Sequence, residues 1–294
     1  MNILYCLAYF DIFNYPLSVD DIVRYTGDSS AAIEEEIQHL IQKGVVYKVG
    51  EYYSIRNEVD VSRHRNQGNE RAVEYSVKAE RKAKLISKFP YVRGVYISGS
   101  LSKNFMSEDG DVDYFIVTAP NRLWVARTLL IAYKKVFLFN SRKYFCVNYF
   151  VDEDSLEIAE KNRFTATELV TLIPMSNFSQ YKDLIKSNDW IQEYYASPKE
   201  VSEEKKDTKR SGFQKWSEPI LNTKLGVKLD EYFLKITLKK WYRKFGEMEQ
   251  KDFELALKSS KRVSKHHPSN FQKKVLDEFD SRMKMVHDKL KFTV

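Results

Sequence analysis

Residues 97–117 read ISGSLSKNFMSEDGDVDYFIV. An apolar strand pattern breaks at Gly99-Ser100, crosses a polar loop, and resumes through Asp111 and Asp113 straight into Phe115-Ile116-Val117. Strand side chains alternate faces, so Asp111 and Asp113 point one way while Val112 and Tyr114 point the other. Two carboxylates a few ångströms apart on a core strand raise each other's pKa and destabilise the sheet unless something neutralises them. A divalent cation does this. Hard oxygen ligands suit Mg²⁺ or Mn²⁺, with phosphate oxygens completing the shell. A solvated polar turn explains Glu108 and Asp109 but not Asp113, from which the apolar run continues directly. An EF-hand loop starting at Asp109 fails, because its sixth position is Tyr114 where glycine is needed and its twelfth is Pro120.

The first half of the stretch offers an anion partner. Val95, Tyr96 and Ile97 form a strand ending at Ser98-Gly99-Ser100. A helix opening at Leu101–Phe105 exposes backbone N–H groups that favour an anion. Gly99 lets a ligand approach the backbone closely, Ser100 adds a hydroxyl, and Lys103 reaches phosphate as a point charge.

Strand, Gly-Ser, short helix, loop, then Asp-x-Asp on the next strand resembles the nucleotidyltransferase superfamily that includes DNA polymerase β, in particular its small bacterial members. Gly99-Ser100, ten intervening residues, then Asp111-Val112-Asp113-Tyr114 carry the resemblance, over about residues 95–117. It implies metal-dependent transfer of a nucleotidyl group from an NTP, expected to be ATP, to a hydroxyl acceptor, with pyrophosphate leaving. Asp111 and Asp113 are then the catalytic, metal-holding residues, and Gly99, Ser100 and Lys103 bind the nucleotide. Members of this superfamily often bring a third carboxylate from a neighbouring strand. That strand here is Tyr144–Val151, whose polar interior residue is Asn148. Asn148 reads equally as a metal ligand or a hydrogen-bonded core amide, and Asp152 or Glu153 at the strand end is the substitute. The alternative function is a catalytically inactive nucleotidyltransferase-like interaction protein.

Ahead of this core, residues 1–56 show three short helical patterns and a hairpin turning near Gly50, and resemble a winged helix-turn-helix. The segment holds eight acidic residues, Glu34, Glu35 and Glu36 among them, against Arg24, Lys43, Lys48 and Arg56. A module of net charge −4 repels a phosphate backbone, so DNA is not its expected partner. The expected class is α+β: a winged-helix-like domain (1–58), a mixed-sheet nucleotidyltransferase domain (59–195), a charged linker or mobile loop (196–212), and a helical C-terminal region (213–294). Arg63, His64 and Arg65 read as a solvated helix face. Thr165, with Glu168 three residues on, reads as a helix capping box.

The net charge of +7 is uneven. Residues 201–294 carry 23 Lys/Arg against 14 Asp/Glu, which leaves 25 against 27 for the other 200. A polyanion would therefore sit most easily near the C-terminal part. Apolar residues, 43% of the chain, suffice for a core. The N-terminus lacks a basic run before its apolar stretch, and no segment reaches the roughly 18–20 apolar residues of a membrane span. A cytoplasmic protein with no membrane partner is expected. Cys6 and Cys146 read as small buried hydrophobes, and His266-His267 before Pro268 as a helix–helix corner.

Overall fold

Ser18 and Gly27 mark the ends of a helix by residue type, and the computed structural model shows how. It describes residues 2–196 and 210–292. Three helices, α1 (Asn2–Asp11), α2 (Val19–Thr26) and α3 (Ser30–Gln42), lead into a hairpin of β1 (Tyr47–Val49) and β2 (Tyr52–Ser54). At the start of α2 the Ser18 hydroxyl accepts from the Asp21 N–H while the Asp21 carboxylate accepts from the Ser18 N–H, satisfying two donors that the first turn leaves open. Gly27, at φ +77°, closes the helix in the left-handed region.

The chain continues through α4 (Asp60–Ile86), β3 (Val92–Ser98), β4 (Asp113–Thr118), α5 (Leu123–Phe137), β5 (Cys146–Asp152), α6 (Arg163–Val170), β6 (Ile173–Ser176) and α7 (Phe178–Lys186). Then follow α8 (Gly212–Leu221), α9 (Lys224–Phe245), α10 (Gln250–Ala256), β7 (Val263–Lys265) and α11 (Phe271–Phe292). Among the described residues the protein is α+β, with eleven α-helices, the small hairpin, and a mixed sheet ordered β6-β3-β4-β5-β7. β4 and β5 run parallel, joined by α5 as the crossover, and the other neighbours are antiparallel. No helix among the described residues is long and apolar enough to cross a membrane.

Strand alternation sorts the core. Tyr96, Phe115 and Val117 face one apolar cluster, and Val95, Ile97, Tyr114 and Ile116 face the other, against α4 and α5. The first cluster also takes Ile3, Leu7 and Phe10 of α1, Leu169 of α6, Leu184 of α7, and Val275, Met283 and Val286 of α11. The N-terminal helices, one sheet face and α11 thus share a single core, which runs across the boundary expected at residue 58.

Arg65 strengthens that junction. Rather than lying on a solvated face, it is 6% exposed. Its guanidinium lies between the Tyr15 and Tyr52 rings, pairs with Asp21 at 2.7 Å and donates to the Pro16 carbonyl. The C-terminal region is helical as expected, except that β7 leaves it to extend the central sheet at β5. Three residues in a Lys/Ser-rich run carry no period-2 signal of useful length. Of the linker expected at 196–212, only Ala196 and residues 210–212 fall within the described residues.

Two polar anchors position the last helices. Glu218 on α8 accepts two bonds from Arg93, at 2.8 and 2.9 Å, and one from the Tyr91 N–H. Asp230 on α9 accepts from the Val125 N–H at 2.9 Å. It caps the N-terminus of α5, whose own N-cap position, Arg122, supplies no side-chain bond. This cap fixes α9 alongside α5, which sets the shape of the cleft described next.

Candidate active site

The junction of β3 and β4 places the Gly99 turn against the carboxylates. Ser98 pairs with Asp113 across the two strands. Gly99 follows at φ +67°, so close that a Cβ there would lie 2.5 Å from Asp113 Oδ2. β4 begins at Asp113, with Asp111 in the segment entering it, and β5 brings Cys146 alongside Asp113 in register. One ligand atom each from Asp111, Asp113 and Cys146 lies within 4.8 Å of the others. The two aspartates converge as alternation requires. Cys146 joins them instead of acting only as a core hydrophobe, because the parallel register sets it directly beside Asp113.

Asn148 also faces this point, and its amide donates to Asp113 Oδ1 at 2.7 Å. It supports the carboxylate as a hydrogen-bond donor. Burial, and next the adjacent Asp111 carboxylate, push the Asp113 pKa up to about 7, while bonds from Cys146 and Asn148 pull it back and Glu168 adds to the rise. Burial pushes the Cys146 thiol far up as well. Asp152 lies elsewhere. It pairs in register with Thr118, at the other end of β4 from Asp113, and accepts from the Asn121 and Asp154 N–H groups. Glu153 follows it, its N–H bonded to the Thr118 carbonyl. Five residues of strand, roughly 16 Å, keep Asp152 from serving as the third carboxylate.

Glu160 lines the cleft and pairs with Lys258, and the carboxylate that meets the Gly99 turn is Glu168. The helix carrying it starts at Arg163 and is capped by Asn162, which accepts from the Thr165 N–H at 3.0 Å. The capping box expected from Thr165 is absent, and Glu168 is free to turn toward the Gly99 turn. Its Oε2 accepts from the Gly99 N–H at 3.2 Å, and its Oε1 from Lys103 Nζ at 2.8 Å. Lys103 also donates to the Gly99 carbonyl at 2.9 Å. The Leu101–Lys103 segment is one 3₁₀ turn, stopped by Asn104 at φ +58°, so the extended helix N-terminus expected there does not form. Ser100 opens the turn, its carbonyl accepting from the Lys103 and Phe105 N–H groups.

These groups lie in a cleft of about 600 Å³. Gly99, Asp111, Asp113, Cys146, Asn148 and Glu168 line one side. Cationic side chains of α5 and α9 line the other, with His266 and His267 at the end of β7. Burial first, then surrounding cations, hold the His266 pKa down to about 3. Burial, then Lys265, holds that of His267 down to about 4. Both imidazoles are neutral at pH 7. Their strand-end position in the cleft replaces the helix–helix corner expected from Pro268.

Gly99→Ala is expected to lose about 1–2 kcal/mol of stability, from the left-handed φ and the contact with Asp113. It should also weaken metal binding by displacing that carboxylate. Urea unfolding and a Mn²⁺ titration read the two effects separately, and an unchanged Mn²⁺ affinity would count against the coupling of the turn to the carboxylates.

Comparison with family models, with curated proteins and with solved structures gives no match for this chain.

Proposed function

We propose that the protein is a metal-dependent nucleotidyltransferase that moves an NMP group from an NTP to a hydroxyl acceptor. One observation carries this reading: Asp111 and Asp113 converge beside the Gly99 turn on one side of a cleft whose other side is cationic. Two carboxylates held together, with the Asp113 pKa raised by burial and by its neighbour, fit a divalent cation, which relieves both repulsion and desolvation. Mg²⁺ or Mn²⁺ suits the carboxylate oxygens. A bound cation would supply charge neutralisation for an NTP's phosphates. Asp111 and Asp113 would hold it, Asn148 fixes the orientation of Asp113, and Gly99 permits phosphate to approach the backbone.

In the transfer, the acceptor hydroxyl gives up its proton to solvent as its oxygen bonds to the α-phosphorus, the bond from the α-phosphorus to the bridging oxygen breaks, and pyrophosphate leaves. Glu168 adds a carboxylate beside the Gly99 turn. The three N-terminal helices and hairpin serve as a winged-helix-like module for a protein contact, since net charge −4 opposes a nucleic acid backbone. A second reading, an inactive interaction protein, draws on Glu168, which already occupies the Gly99 N–H and Lys103 that a phosphate would use.

Calorimetric titration with ATP, GTP, CTP and UTP separates the two. Binding that requires Mg²⁺ or Mn²⁺, with pyrophosphate released once an acceptor is supplied, is expected. Absence of metal-dependent binding for all four nucleotides would remove the enzyme reading.

A further inference from the structure

The cationic side of the cleft has no ion-pair partner among the described residues. Arg127, Lys134 and Lys135 come from α5, Arg142 from the loop before β5, and Lys240 and Lys244 from α9. Lys134 is only 8% exposed, yet among the described residues its ammonium has no hydrogen-bond or ion-pair partner. Its stem is buried while the ammonium itself opens into the cleft, where no described residue pairs with it by hydrogen bond or ion pair. Arg127 lies over the rings of Trp124 and Trp241, at 5.5 and 5.0 Å, and it too has no carboxylate within ion-pair reach among the described residues. Lys240 is crowded by Lys135, Lys244, Arg127 and Arg243, which together with burial lower its pKa. The charges are held by rigid parts: Trp241 is buried against Trp124 at 6.4 Å, and Asp230 ties α9 to the start of α5.

We infer that this wall of six cations is a binding site for a chain of linked phosphates, lying across the cleft from the Gly99 turn. The inference rests on the nucleotidyltransferase reading for its role but not for its existence. A single phosphate touches two or three side chains, whereas these cations span two helices and a loop, so a polyphosphate matches them better. Lysine and arginine together suit it, as point charges and as planar forks. Lys134, its stem buried and its ammonium within electrostatic reach of Asp111, marks the inner end, and the exposed Lys240 and Lys244 mark the mouth.

Inorganic tripolyphosphate in EDTA is the probe, titrated by calorimetry into the full chain. Wild type is expected to bind without metal, more weakly as salt rises. Lys134→Met with Lys240→Met should weaken binding by about tenfold or more per ammonium removed. If the buried substitution prevents folding, Lys135→Gln with Lys244→Gln on the exposed rim tests the same charge. Equal affinity in wild type and a folded variant overturns the site. So does orthophosphate binding as tightly as tripolyphosphate, or a thymidine dodecamer binding more tightly than either. Asp111→Asn with Asp113→Asn should keep metal-free tripolyphosphate binding, so the wall stands or falls apart from the metal site. Displacement of bound Mg·ATP by tripolyphosphate assigns the wall to the NTP's own phosphates. Simultaneous binding assigns it to a phosphate-bearing acceptor, and both results uphold the site.

Discussion

Asp111→Asn with Asp113→Asn is expected to lower metal-dependent pyrophosphate release by at least roughly 10²–10³-fold, the scale on which a single stabilising group at a transferring centre acts. The same variant should be more stable than wild type when metal is absent. Asp113 ordinarily titrates at 3.8 and here is pushed up to about 7. Between those values the folded protein holds a proton that the unfolded chain has released, so stability falls as pH rises from about 4 to about 7. Above that window the loss is complete, and below it there is none. The whole shift would amount to several kcal/mol, but the carboxylate faces a water-filled cleft, so a gain of ~1–2 kcal/mol at pH 8 is the expected size. Thermal unfolding in EDTA at pH 5 and pH 8 measures it. The variant should exceed wild type at pH 8 and match it more closely at pH 5. Mn²⁺ should stabilise wild type at pH 8 and leave the variant unmoved. A variant that keeps full pyrophosphate release would refute the assignment of both aspartates.

Asp11→Ala is expected to cost about 3 kcal/mol, a large loss of stability for the removal of one polar side chain. Asp11 is 3% exposed, and it accepts from Arg56 Nε and Arg282 Nε, each at 2.8 Å, and from the Ser54 hydroxyl. Without it two half-buried guanidinium groups face each other with no anion between them. Arg282→Met should cost less, since Arg56 still satisfies the carboxylate. Urea unfolding of the two variants decides the point: an Asp11→Ala midpoint equal to that of wild type would mean that water replaces the carboxylate without loss.

Sequence-local features were legible. Gly99, Asp111 and Asp113 lie within fifteen residues of one another, just past the end of β3 and at the entry to β4, so the pairing of two consecutive strands brings them together. Ser18 and Gly27 bounded their helix because caps act on neighbouring backbone groups. Features made by distant segments were not legible. Glu168 reaches Gly99 from 69 residues away, and its spacing from Thr165 suggested a local role that Asn162 fills instead. Cys146 gained its place from the parallel register of β5, which no composition reveals. Asp152 and Asn148 sit on one strand, and only the pairing with β4 tells which end meets the aspartates. The cations of α5 and α9 come from distant segments and meet only where Asp230 ties the two helices together. Trp216 is 68% exposed, whereas Trp241 is buried. Apolar spacing was similar for both.

The shared core has a consequence in time. Asp11 and Arg282 are 271 positions apart, and α1 packs against a helix made at the other end of the chain. At about 5–20 residues per second, a ribosome needs roughly 15–50 s to make the stretch between them. Through that interval the part of α1 that meets α11 lacks its final neighbour, although α2 and the hairpin already cover the rest. Long-range closure of this kind is slow in its own right, so the nascent protein is a natural client for whatever shields exposed helices in the cell that makes it.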